Sequence, residues 1–221
     1  NRYMLNPNAH IKENVFDKPD MAATRDGFGQ ALLELGEKDP RVVVLCADLA
    51  ESTRTLAFKE KYPDRYIELG VAEQNLATVA SGLANYGKIP FITSYAAFSP
   101  GRNNEQIRTT VAINNVPVKI AGAHAGISVG PDGATHQALE DMALMRVMPR
   151  MVVLSPADSE EARKVTLAAA AHNGPVYIRL AREKSPVITT SESPFAIGKA
   201  SVVWESEHAP EVVVFATGPL L

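Results

Sequence analysis

From Ala22 to Leu180 the chain alternates short apolar, often β-branched runs with longer segments whose apolar residues recur every three or four positions. This alternation constrains the fold more than any other feature. Strand–helix–strand repeats of this length predict an α/β protein with a mostly parallel sheet and helices on both faces. Strands are expected at 41–46, 66–69, 89–93, 118–121, 152–154 and 176–180, about six in all. The first of them is almost entirely Val, Leu and Cys, as a strand buried on both faces should be. Helices are expected at 24–37, 73–83, 101–113, 137–148 and 159–172. In the first, Phe28, Ala31, Leu32 and Leu35 share a face, and Thr24 is placed to cap it. In the last, Asp158 and Glu161 form a capping pair and Asn173-Gly174-Pro175 stops the helix.

Composition narrows the class. With 22 Lys+Arg against 25 Asp+Glu the net charge is −3, and 46% of the 221 residues are hydrophobic, so a packed core is expected and disorder is not. There is no basic stripe for nucleic acid, no apolar signal segment at the start and no 18-residue apolar run for a bilayer. The single cysteine, Cys46, sits inside an apolar run; it points to a reducing, cytoplasmic setting with no disulfide framework. Four regions are expected: an N-terminal arm over 1–21 that packs on a neighbouring subunit or stays disordered, an α/β domain over 22–183, a polar linker over 184–199, and over 200–221 the opening of an incomplete further domain. That last region should hold strands at 200–204 and 212–216, and the chain reads as a fragment.

In parallel sheets ligands bind beyond the carboxyl ends of the strands, so the residues that follow each strand are the candidates for chemistry. They include Asp48 and Ser52, Glu73, Tyr95 and Phe98, His124, and Arg182. Any one of them is an ordinary strand-end residue; together they suggest a site on one edge. The segment HAGISVGPDGATH, His124 to His136, adds Asp132 and three glycines that permit close backbone approach. It has no Lys, Arg or Glu, and Ile127 and Val129 suit a loop packed under a ligand or a partner, or over its own core. The two histidines are twelve residues apart without a thiolate or HxxE nearby, so no metal site is expected in this chain. GxxxxGK[ST] and GxGxxG are both absent, which leaves Arg25, Arg182, Ser52 and His124 to converge on a monophosphate.

Three stretches, GVAEQNLATVASGLANYG, ITSYAAF and HAGISVGPDGATHQALEDMALMR, together resemble the pyrimidine-binding domain of transketolase, over residues 22–182. The resemblance implies the thiamine-diphosphate-binding fold and transfer of a two-carbon ketol unit between sugar phosphates. It matches Glu73 to the glutamate that hydrogen-bonds a ring nitrogen of the aminopyrimidine, favouring the imino tautomer. It places Tyr95 and Phe98 around that ring, with Phe98 the stacking residue, and Asp48 on the cofactor pocket. It assigns the sugar phosphate to His124, Arg25, Ser52 and Arg182, a donor hydroxyl to Asp132, and proton transfer or substrate contact to His136.

The sequence also departs from the family. It lacks the GDG…N motif that binds magnesium, or calcium, and the diphosphate, so half of the cofactor site is missing from this chain. The resemblance therefore implies a transketolase divided over two polypeptides, in which an N-terminal subunit supplies that half, the active site is an interface, self-association is expected and the chain alone is inactive. Two alternatives stay open: a related thiamine enzyme such as deoxyxylulose-phosphate synthase, against which His124 weighs, and a non-catalytic truncated or regulatory module of the same fold.

Overall fold

The structure, a computed structural model, describes residues 3–220. In chain order the elements are β1 (Tyr3–Leu5), β2 (Met21–Ala23), α1 (Thr24–Lys38), β3 (Val42–Cys46), α2 (Leu56–Lys61), β4 (Tyr66–Glu68), α3 (Glu73–Asn85), β5 (Ile89–Tyr95), α4 (Asn104–Gln106) with a π-helical continuation (Ile107–Ala112), β6 (Lys119–Ala123), α5 (Asp141–Arg146), β7 (Val152–Leu154), α6 (Ser159–Ala171), β8 (Val176–Arg179), β9 (Lys184–Pro186) and β10 (Trp204–Ser206). Six of the strands form one sheet in the order β4-β3-β5-β6-β8-β7, every pairing parallel. No described helix is long and apolar enough to cross a membrane.

Period-two alternation along the strands divides the core between the two faces of the sheet. Val43 and Leu45 of β3 meet Leu76, Ala77 and Ala80 of α3, with the π-helix and Met145 of α5, on one side. Val42, Val44 and Cys46 meet Phe28 and Leu32 of α1, Phe58 of α2 and Val165 of α6 on the other. Helices on both faces explain why the strands are continuous apolar runs. The two outer helices α1 and α6 approach so closely that a Cβ at Gly27 would lie 1.7 Å from the Ser159 carbonyl oxygen, and only glycine fits there.

The structure corrects several expectations. Thr24 does not cap α1. It is the first helical residue; the Ala23 N–H donates to Asp26 Oδ2 at 3.2 Å, and Thr24 Oγ1 accepts from the Ala181 N–H at 2.8 Å. The helix expected at 101–113 starts only at Asn104 and widens into a π-turn, where the Thr109 and Thr110 hydroxyls donate to the carbonyls of Glu105 and Gln106 and compete with the helical ladder. The helix expected at 137–148 starts at Asp141, because Ala138 is held in an antiparallel bridge to Gly126. Residues 200–203 are irregular; the strand there is β10, paired with β1. Residues 212–216 are not a strand: no neighbouring strand pairs with them among the described residues, and Val212, Val213, Val214 and Phe215 are exposed.

The segment before β3 and the segment after β8 lie on each other. Besides the β1–β10 and β2–β9 pairs, the Lys12 N–H donates to the Ile188 carbonyl, and both Thr190 and Ser193 hydroxyls donate to the His10 carbonyl. This layer is fastened to the core through one fully buried carboxylate. Asp158 caps α6 by accepting from the Glu161 N–H at 2.8 Å, and it also accepts from the N–H groups of Ile188 and Thr189 at 2.8 and 2.6 Å and the Thr189 hydroxyl at 2.8 Å. Its removal strands four donors, three of them backbone. Since a lost N-cap costs about 0.5–2 kcal/mol and each buried unsatisfied donor about 1–3 kcal/mol, Asp158→Ala should lower unfolding stability in urea by about 3 kcal/mol or more. A loss under about 1 kcal/mol would contradict the fastening role.

Candidate functional site

Because the sheet is parallel, the carboxyl ends of β3, β4, β5, β6 and β8 share one edge, and the strand order reverses direction between β3 and β5, where an open α/β sheet leaves a crevice. Tyr95 ends β5 on the rim of that crevice, and its ring stacks on His124, one residue beyond β6, with centroids 3.9 Å apart and planes at 29°. The Tyr95 hydroxyl donates to Ser52 Oγ at 3.1 Å. Arg25, at the start of α1, reaches both: its Nη1 donates to the Ser52 carbonyl at 2.9 Å and lies 3.4 Å from His124 Nε2. Arg182 follows β8 and lies against the loop at Gly130, where φ is +82° and a Cβ would sit 2.7 Å from the guanidinium carbon. Arg25, Ser52, Tyr95, His124 and Arg182 thus form one cluster.

On the other side of Tyr95 lies an aromatic group. Phe98 is stacked 6.2 Å from Tyr95, and His136 presents its edge to Phe98 at 5.1 Å and to Tyr95 at 5.9 Å. The His136 Nδ1 is 2.9 Å from the Thr135 hydroxyl. Glu73, the first residue of α3, is 2% exposed and joins this group through Arg102, whose Nη1 donates to Glu73 Oε2 at 2.8 Å while its guanidinium lies 4.6 Å from the Phe98 centroid. The Glu73 Oε1 accepts no hydrogen bond among the described residues. The loop over 124–136 is less enclosed than its composition suggests: Val129 is buried, while Ile127 and Asp132 are exposed.

Asp48 stands apart from both groups. It is exposed, with a positive φ of 58°, and its carboxylate makes no hydrogen bond with the described residues; its N–H donates to Glu68 Oε1 at 2.7 Å, which also accepts from the Gly70 N–H. Arg102, Arg54 and Glu68 were not among the expected site residues. Arg54 pairs with Asp26 at 2.7 Å, and its charge acts on both Arg25 and His124. Only one signal for Arg102 lay in the sequence: it follows Phe98 by four residues, the spacing that one turn of chain brings together. Among the described residues no three His, Cys, Asp or Glu side chains converge as a metal site.

The electrostatics favour an anion. Burial, then the Arg54 charge, lowers the pKa of Arg25 from its ordinary value, and the group keeps its cationic form. Burial pushes His124 down to about 4, with Arg25 and Arg182 next in effect and Asp132 opposing them. A guanidinium can only donate, so Nε2 accepts from Arg25 and the neutral ring carries its proton on Nδ1, which is buried without a partner. The sign follows from linkage: between the ordinary value of 6.5 and about 4 the unfolded chain binds the extra proton. The stability that a neutral His124 preserves is complete above that window and is lost as pH falls through it. An NMR titration should place the His124 midpoint near 4, and His124→Gln should flatten the fall in stability over the window; a midpoint above 6 would refute the buried neutral state.

Residues 20–187 match the family described as transketolase, pyrimidine-binding domain. A Methanocaldococcus jannaschii protein provisionally named a transketolase C-terminal section is 44% identical over 196 residues, 88% of this chain and 61% of that protein. The 6-deoxy-6-sulfo-D-fructose transketolase subunit SqwH of Clostridium sp. (strain MSTE9) is 41% identical over 194 residues, 88% of this chain and 59% of that one. The chain thus spans about three fifths of the length of these relatives. A solved structure described as a split-gene transketolase, inactive β4 tetramer, superimposes with a TM-score of 0.72 at 46% identity, covering 80% of this chain and 56% of that one. With the parallel sheet, the edge cluster and a match over most of its length, the chain belongs to the transketolase pyrimidine-binding domain family.

Proposed function

We propose that this chain is the pyrimidine-side subunit of a transketolase divided over two polypeptides, acting in two-carbon ketol transfer between sugar phosphates. The observation that carries the reading is the continuous line of side chains on one sheet edge, from the buried Glu73 carboxylate through Phe98 and Tyr95 to His124, Arg25 and Ser52. The residues fit the ring half of thiamine diphosphate: a buried carboxylate with one oxygen, Oε1, free of internal partners stands beside a set of aromatic faces. They do not supply the diphosphate half, since the chain lacks the GDG…N motif, and we assign that half, with magnesium or calcium, to an N-terminal partner subunit. When bound, thiamine diphosphate supplies the carbon nucleophile that takes up and releases the two-carbon unit.

The chain's own residues then have distinct tasks. Glu73 holds the aminopyrimidine ring nitrogen through its free oxygen and keeps a proton mobile there. Phe98 stacks on the ring, with Tyr95 beside it and Asp48 farther out on the pocket rim. Arg25, Arg182, Ser52 and a neutral His124 hold the phosphate at the other end of the line, where guanidinium forks match its oxygens. Asp132 and His136 project from the loop over 124–136, for a donor hydroxyl and for proton transfer or substrate contact. The relative named for a sulfo-sugar supports a sulfonate as a second anion for the same arginines. The unit over 22–183 is the working domain in this reading, and the C-terminal-section and β4 relatives support a partnered, self-associating assembly.

The test is two-carbon transfer from xylulose 5-phosphate to ribose 5-phosphate, with thiamine diphosphate and magnesium, by this chain alone and with the subunit it retains from its native lysate. Activity should appear only with the partner. In that assembly Glu73→Gln should lower turnover by about 10²–10⁴ with the complex intact, and near wild-type turnover would refute the assignment. Arg25→Met should raise KM for phosphorylated sugars by about tenfold or more with a smaller change in kcat. An equal KM would place the phosphate elsewhere, and no transfer by the intact complex would favour the non-catalytic module.

A further inference from the structure

Arg102 and Asn103 grip Glu73 at two points. Asn103 Nδ2 donates to the Glu73 carbonyl at 2.9 Å and lies 3.2 Å from Ser99 Oγ, and Asn103 is itself fully buried. Arg102, the preceding residue, donates to the Glu73 carboxylate while its guanidinium carbon lies 4.6 Å from the Phe98 ring centroid. The turn between Phe98 and Asn103 is closed by the Arg102 and Asn103 N–H groups, which both donate to the Phe98 carbonyl, at 3.0 and 3.3 Å. One short turn therefore carries an aromatic face, a cation that ties this face to a buried carboxylate, and an amide that fixes the carboxylate's helix end.

A buried carboxylate is tolerated when it is paired, and Arg102 is the one cation bonded to Glu73 among the described residues. The contact takes one oxygen only. The Arg102 side chain is 47% exposed, and with Glu73 it lines a cavity of about 170 Å³ whose other walls are Val71, Ala72, Gln74 and Asn75. A planar guanidinium can hydrogen-bond in its plane while its face lies on a ring, which an ammonium cannot do.

Resting on the thiamine diphosphate reading of Glu73 and Phe98, we infer that Arg102 is a positioning residue: it locks the carboxylate and the aromatic platform at a fixed separation, directing Oε1 of Glu73 to the ring nitrogen. Arg102 acts through these two residues and leaves the substrate end of the site untouched. Its loss frees the carboxylate to rotate and strands a buried charge, so it should impair handling of the cofactor ring while contacts to sugar phosphate persist.

The experiment uses the complex of this chain with its retained partner, and thiamine diphosphate with magnesium as the probe. Calorimetry gives cofactor affinity, and NMR gives hydrogen–deuterium exchange at the thiazolium carbon of the bound cofactor, a readout that does not require turnover. Arg102→Gln should weaken binding and slow exchange, each by about tenfold, and Arg102→Lys should recover part of the binding but little of the exchange. Wild-type values for Arg102→Gln would overturn the inference, and so would tighter binding, which would make the guanidinium an occupant of the ring's place. If Arg102→Gln does not fold, Arg102→Lys decides: slower exchange supports the lock, and unchanged exchange refutes it. Glu73→Gln measured alongside separates the two levels, because exchange that survives it removes the cofactor reading whatever Arg102 does.

Discussion

All six strands of the central sheet run in the same direction, and the rest of the molecule follows from that constraint. A parallel sheet needs a crossover between successive strands, and the crossovers cover both faces with helices, so the strands must be apolar throughout. Polar side chains are then concentrated toward the strand ends, and those that stay buried, such as Lys119 and Tyr177, are bonded to backbone carbonyls or to Asp141. Every carboxyl end lies on one edge, which stacks Tyr95 on His124 at 3.9 Å and brings Arg182 near enough for its charge to act on His124, without any local sequence relation between them. Packing and chemistry are therefore not separate specifications here. The interior can be almost featureless because the edge carries the polar groups.

Much of this was legible before the structure. The strand positions followed from runs such as 41–46, whose apolar character has one explanation in a two-layered helical cover, and α6 was marked at both ends by Asp158 and by Asn173-Gly174-Pro175. Arg25, Ser52, His124 and Arg182 were nominated for one site on strand-end logic and resemblance, and they do meet in space, while Asp48 does not join them. What stayed hidden depended on side-chain partners, some distant in sequence and some a single helical turn away. Thr24 reads as a cap until Ala181 is known to donate to it, and residues 107–112 read as an α-helix until the threonine hydroxyls are seen to compete with its ladder. Arg102 carries no assignment until the turn after β5 is seen lying against the first residue of α3. Periodicity reports which face is buried; it does not report which turn a side chain reaches across.

The site divides into two electrostatic environments joined by Tyr95. At one end cationic arginines surround a histidine that stays uncharged at neutral pH, an arrangement that offers hydrogen bonds to an anion without placing a fourth positive charge among them. At the other, a single buried carboxylate is balanced by a single arginine. On the proposed reading, the first end would take a diffusing anionic ligand that enters and leaves, and the second a ring held in place, where a fixed geometry matters more than exchange.

The buried carboxylate of Asp158 has a consequence for motion rather than for strength. Through it the cap of α6 is joined to Ile188 and Thr189, and Ile188, Thr190 and Ser193 are joined to the segment at His10 and Lys12. Opening any one of these links leaves buried donors of its neighbours unsatisfied, which couples the openings. The N-terminal segment, β9 and the first turn of α6 should therefore lose amide protection together, as one cooperative unit peeling from a sheet that remains closed beneath it. The outer layer of this chain should thus open as a single plate rather than as independent fraying strands.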